Sequence, residues 1–99
     1  MIEIDGKLFD WDDDKEKINI KKHGVSFDEA STVFLDEFAI EKYDTEHSDN
    51  EDRFIIIGTS KKDRILFVCH CLRENNLVTR IISARKATKE DKDLYGGAL

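Results

Sequence analysis

The sequence predicts an α+β domain in which two N-terminal helices and a short C-terminal helix lie on one face of an antiparallel sheet of about four strands. Three observations lead there. Helix-capping residues fall at Asp12, Ser26 and Thr88. Between the last two lie three runs rich in Ile, Val and Phe, joined by short polar connections. The chain has 99 residues, 39% of them apolar, which suits one core and is too little for two, so residues 1–99 read as a single domain. No proline, repeat or low-complexity segment marks a linker.

Met1 to Trp11 alternates around Gly6 and predicts one or two short strands. Asp12-Asp13-Asp14 then supplies an N-cap and first-turn acids for a helix that ends at Gly24, with Lys21, Lys22 and His23 near the negative end of its dipole. Ser26-x-x-Glu29 is a capping box, so a second helix starts at once and carries Ala30, Val33 and Phe34 at helical spacing. Phe38 to Tyr43 reads as a strand and the acid-rich stretch Asp44 to Asp52 as a solvated loop, in which His47 has no evident role. Arg53–Thr59, Arg64–Leu72 and Leu77–Ala84 form an antiparallel meander. Thr88-x-x-Asp91 opens a final helix that runs out before Gly96-Gly97.

The net charge of −6 is unevenly divided. Residues 1–52 hold 17 acids and 6 bases, a balance of −11, whereas residues 53–99 hold 5 acids and 10 bases, a balance of +5. A basic second half can present a phosphate-attracting surface, and the acidic half suits a basic protein partner. No apolar run approaches the roughly 20 residues a membrane helix needs, and the N-terminus has neither a basic lead nor a long apolar stretch. Two cysteines one residue apart fit a reducing compartment, so a cytoplasmic location is expected.

A symmetric turn at Ser60–Asp63 would set Arg53 across from His70, Ile55 from Val68 and Ile57 from Leu66. A second turn at Arg73–Asn76 would flank His70 by Thr79, Val68 by Ile81 and Leu66 by Ser83. One face then collects Ile65, Phe67, Cys69, Cys71, Val78 and Ile82, the side the helices should cover. The barer face carries Arg53, His70, Thr79, Ser83 and Arg85. A guanidinium beside an imidazole makes a plausible phosphodiester site, and Arg85, farther along the strand, reads as a phosphate clamp. Alternation sends Arg80 to the helix-covered face. Cys69-His70-Cys71 cannot ligate one ion from a regular strand, because the thiols point one way and the imidazole the other; no metal and no cofactor are expected.

Phe9-Asp-Trp11-Asp12-x-x-Lys15, Asn19-x-x-Lys22-His23-Gly24-Val25-Ser26-Phe27-x-x-Ala30 and Arg80-x-Ile82-Ser83-Ala84-Arg85-x-Ala87 together resemble the BrnT toxins of bacterial type II toxin–antitoxin systems. The resemblance runs from about Phe9 to Tyr95. It implies a RelE-like fold, metal-independent mRNA cleavage that inhibits translation and growth, and a BrnA antitoxin that neutralises the toxin and alone contacts operator DNA. The family pattern touches Trp11, Lys15, Lys22, His23, Arg53, His70, Arg80, Ser83 and Arg85. On this reading His70 transfers protons, Arg53 and Arg85 hold the phosphate, and Arg80, Ser83, Lys15, Lys22 and His23 contact RNA. The other class of function is a non-catalytic partner-binding protein that keeps the toxin fold and engages an antitoxin-like chain through its acidic half.

Overall fold

A computed structural model describes residues 2–97 of the chain; Met1, the first residue of the expected N-terminal strands, lies outside them. The elements are β1 (Ile2–Ile4), β2 (Lys7–Asp10), α1 (Asp13–His23), α2 (Phe27–Thr32), β3 (Ile40–Tyr43), β4 (Arg53–Thr59), β5 (Ile65–Arg73), β6 (Val78–Lys86) and α3 (Lys89–Gly97). Short 3-10 turns follow α2 at Val33–Leu35 and β3 at Thr45–His47. None of the described helices is long and apolar enough to cross a membrane.

The caps act as their residue types dictate. Asp12 accepts from the Asp14 and Lys15 amides at 2.9 and 3.1 Å, and Gly24 ends α1 in the left-handed region at φ 69°. Ser26 accepts from the Glu29 amide at 3.0 Å. Glu29 does not complete a reciprocal box. Its carboxylate, 1% exposed, instead receives a bidentate Arg64 guanidinium and the Ser60 hydroxyl, while Glu16 of α1 caps the next amide of α2, accepting from Phe27 at 2.8 Å. The α1–α2 corner is thereby locked to the β4–β5 turn. Asn19, 6% exposed, ties α1 to β6: its amide donates to the carbonyls of Val25 and Ala84 at 2.8 Å each, and its oxygen accepts from the Ala84 amide at 3.1 Å.

The sheet has six strands in the order β1-β2-β6-β5-β4-β3 and is mixed, because β2 runs parallel to β6. This corrects the expected all-antiparallel sheet of about four strands. The N-terminal hairpin extends one edge and β3 the other, and only the meander β4–β5–β6 was legible as an unbroken antiparallel set. Phe9, Ile56, Leu66, Val68, Ile81 and Ala84 pack under α1, α2 and the first 3-10 turn against Val25, Phe27, Ala30 and Val33. Gly58 admits that turn: a Cβ there would lie 3.0 Å from Val33 and Ala39 side-chain atoms.

The register also differs from expectation, and with it the faces. Ser60 donates to the Arg64 carbonyl at 2.8 Å and Asp63 is left-handed at φ 60°, so Lys61-Lys62-Asp63 is a three-residue connection rather than a four-residue one. That odd step pairs Arg53 with Cys71, Phe54 with His70 and Ile56 with Val68. A one-residue slip exchanges the faces of a strand. His70, paired with Ile81, therefore lies on the helix-covered side, while Arg53, Ile55, Phe67, Cys69 and Cys71 lie on the other.

A bulge adds a second departure. β6 pairs Ile81 with His70 but Ser83 with Cys69, leaving Ile82 as the extra residue. Arg80, paired with Cys71, consequently shares a face with Ser83 and Arg85, where regular alternation would have put it opposite them.

Candidate active site

Two elements cover the ends of the sheet face that the main helical layer leaves bare. At one end α3 folds over: Tyr95 Oη lies 3.1 Å from Thr59 Oγ1 and donates to Asp36 at 2.5 Å. At the other the 44–52 segment is pinned to the start of β4. The Asp44 amide donates to the Arg53 carbonyl at 2.8 Å, the Ser48 hydroxyl to the Asp44 carbonyl at 2.5 Å, and the Arg53 amide to Ser48 Oγ at 3.0 Å. The stretch is largely exposed, as expected of a solvated loop, but its backbone is anchored at this end, with Asp44 buried at 8% exposed.

Between these covers lies a cleft of about 630 Å3. Its floor is Ile55, Phe67, Cys69, Ile82 and Ser83, and its rim carries Lys42, Asp44, Glu46, His47, Arg53 and Arg85. Arg53 and Arg85 stand four residues apart along β5 on its two sides, roughly 16 Å between Cα atoms, so they bracket the cleft. The Arg85 guanidinium sits 3.8 Å over the Phe67 ring and donates to Asp91 at 2.7 Å, which fixes its direction. Burial alone would raise the Asp91 carboxyl; hydrogen bonds from the Thr88 amide and Arg85 outweigh it and hold the group below its ordinary value. Arg53 differs. Four arginines are paired to a carboxylate: Arg64 to Glu29, Arg73 to Glu51, Arg80 to Asp10 and Arg85 to Asp91. Arg53 has no such partner among the described residues, and its buried Nε has no hydrogen-bond acceptor.

An arginine held without a counter-ion beside a groove is a ready acceptor for phosphate. The sequence pattern of the ribonuclease toxin, BrnT, of type II toxin–antitoxin systems matches residues 11–91. The chain belongs to the BrnT family. In structure it is similar to the Brucella abortus ribonuclease toxin, BrnT, with a TM-score of 0.61 and 24% identity over 84% of this chain and 99% of that one; at that identity the likeness establishes the fold. No curated protein matches the chain.

The structure brings Arg53, Ser83 and Arg85 of the family pattern into one cleft and separates the others from it. His70 is the principal correction: the shifted register buries it at 2% exposed, between Phe34 at 4.9 Å and Phe54 at 6.0 Å, on the far side of the sheet from Arg53. Its Nε2 lies 3.1 Å from Glu41 and its Nδ1 has no hydrogen-bond partner among the described residues. Burial lowers its pKa from the ordinary 6.5, outweighing the opposing pull of Glu41. Lys15, Lys22 and His23 belong to α1, in the helical layer on the side of His70. Arg80 shares the cleft's face but is engaged with Asp10 of β2 at 3.0 Å.

Cys69 and Cys71 are free, buried thiols on the cleft side, and burial pushes the Cys69 thiol up. His47 is the residue that sequence reasoning passed over. The available signal was Asp44-x-x-His47, a spacing that brings the two side chains together in one helical turn.

Proposed function

We propose that this BrnT-family chain is a metal-independent ribonuclease that cleaves mRNA in the cleft of Arg53, Ser83 and Arg85 and is neutralised by a BrnA-like antitoxin. The observation that carries it is the unpaired Arg53 guanidinium facing a groove bordered by a second, directed arginine. Cleavage of a phosphodiester requires that the extra charge on phosphorus be held, and guanidinium groups do this without a metal. Arg53 takes the reacting phosphate, Arg85 the neighbouring one, and the Ser83 hydroxyl donates to the backbone between them. Among the described residues no three His, Cys, Asp or Glu side chains converge on a point where an ion would sit. His70, across the sheet, packs the core in this reading. The helix-edge residues Lys15, Lys22 and His23 take no part in the reaction. The antitoxin that a type II family implies is basic at its contact with the first half of the chain, where the balance is −11. It carries the contact with operator DNA.

The purified chain, free of antitoxin, is expected to cut RNA in the presence of EDTA, and Arg53→Ala to lose about 2–4 kcal/mol of transition-state stabilisation. Loss of cleavage on chelation would refute metal independence. A parent chain that cuts nothing yet binds its antitoxin tightly would make it a non-catalytic partner-binding protein.

A further inference from the structure

We propose that His47, oriented by the carboxylate of Asp44, is the proton-transfer residue of the ribonuclease cleft. The inference rests on the ribonuclease reading above and supplies what that reading lacks, since Arg53 and Arg85 stabilise charge but do not accept protons near neutral pH.

The geometry is local and closed on one side. His47 Nδ1 lies 3.0 and 3.2 Å from the two Asp44 oxygens. An ionised carboxylate only accepts, so it selects the tautomer with the proton on Nδ1 and leaves Nε2 as the basic nitrogen. The Asp44 side chain is 10% exposed and that of His47 62%, so a fixed carboxylate backs a solvent-open imidazole at the rim of the cleft. The anchors of Asp44 are the backbone bonds to Arg53 and Ser48, which means that the residue holding the phosphate and the turn bearing the imidazole move together. Arg53 and His47 border both the main cleft and a smaller one beside it.

In the step this arrangement supports, Nε2 of neutral His47 takes the proton of the ribose 2′-hydroxyl as the 2′-oxygen bonds to phosphorus. The bond from phosphorus to the 5′-oxygen breaks with its electron pair on that oxygen, which takes a proton from water. The imidazolium then returns its proton to the hydroxide so formed. The products are a 2′,3′-cyclic phosphate and a 5′-hydroxyl, with no change of oxidation state. The charged groups around His47 are Asp44 and Glu46 of its own turn, Lys42 of β3, Arg53 of β4 and Arg85 of β6, with Asp49 and Glu51 on its outer side. Among the described residues only Asp44 bonds the ring, so it is the group that orients it.

The test uses the full chain and a short labelled RNA, with folding of each variant checked by circular dichroism. His47→Ala is expected to lower kcat about 10²–10⁴-fold with KM little changed. Free imidazole should restore part of the rate, a rescue that a merely structural role would not show. Asp44→Asn keeps an acceptor for Nδ1 but can also turn an amide donor toward the ring, so it no longer holds the tautomer with Nε2 free, and kcat should fall with KM little changed. Were His47→Ala to cut RNA like a cutting parent, or were its loss to lie wholly in KM without imidazole rescue, the role assigned to His47 would be wrong and the arginine cleft would stand. A parent that cuts nothing overturns the ribonuclease reading and this role with it.

Discussion

Replacing His70 separates a buried packing group from a catalytic one, and the structure sets the magnitudes. His70→Ala removes a ring wedged between Phe34 and Phe54 at 2% exposure. Large-to-small aromatic changes in a core cost about 3–5 kcal/mol, and the imidazole, smaller and more polar than a phenyl ring, should fall at about 2–4 kcal/mol. That is a large share of the roughly 5–15 kcal/mol a chain of this size has. His70→Phe isolates the chemistry. It loses the bond to Glu41, whose carboxylate is 57% exposed and rehydrates, a term of about 1 kcal/mol or less. It also removes a buried Nδ1 that has no partner, a gain of about 1–3 kcal/mol, set against an overpacking cost of similar size. His70→Phe should therefore lie within about 1 kcal/mol of the parent in a denaturant titration and cut RNA at the parent's rate per folded molecule. The pH dependence gives a second readout. Burial lowers the folded pKa below the ordinary 6.5, so between those two values the unfolded chain binds more protons, and stability falls as pH drops below about 6.5. His70→Phe should lose that part of the slope. A well-folded His70→Phe that cuts RNA a hundredfold more slowly would refute the packing role and return His70 to the chemistry.

Two further outcomes concern what holds the cleft's scaffold. Glu29→Ala leaves Arg64 and Ser60 without their buried acceptor; since Arg64 is 29% exposed and partly rehydrates, the cost should be near the lower end of the usual range, about 3 kcal/mol, read as a lower denaturant midpoint at unchanged slope. The Glu29 carboxyl is held below its ordinary 4.5 chiefly by Arg64, so its contribution is present above that value and is lost as pH falls through the folded pKa, a limb Glu29→Ala should lack. Asn19→Ala orphans three backbone groups and should cost about 2–4 kcal/mol, while Asn19→Asp should be worse, because a carboxylate cannot donate to the Val25 and Ala84 carbonyls. Equal stability of the Asp and Ala variants, by thermal melting, would show that those two donated bonds contribute little.

The local devices were legible and the long-range register was not. Asp12, Ser26 and Gly24 declare themselves because a cap is decided by one residue type and its own amides. The face of His70 depends on whether Ser60-Lys-Lys-Asp63 closes in three residues or four, and Asp63 at φ 60° decides it. Asp tolerates the left-handed region without demanding it, so composition is silent there. Alternation put Arg53, Ser83 and Arg85 on the bare face, where the structure has them, but the shifted register takes His70 out of their company; His47 was hidden because nothing in an acid-rich, largely exposed segment announces that its backbone is pinned at Arg53.

The bulge at Ile82 connects these points to function. Without it, Arg80 would face the helices while Ser83 and Arg85 faced the cleft; with it, four of the chain's five arginines, all but Arg64, stand on one side of the sheet. Three of those four are neutralised by Glu51, Asp10 and Asp91, so the face is not a broad cationic patch, and the net charge of −6 says little about it. Carboxylates that hold arginines in fixed directions also suppress unspecific attraction of polyanions along the strand. The unpaired Arg53 then stands out as the point where a phosphate gains most, and it is the residue to whose backbone the Asp44–His47 turn is fastened. On the proposed function, an acidic chain in this way concentrates its hold on RNA at the phosphate of the bond to be cut, with Arg85 steadying the next one.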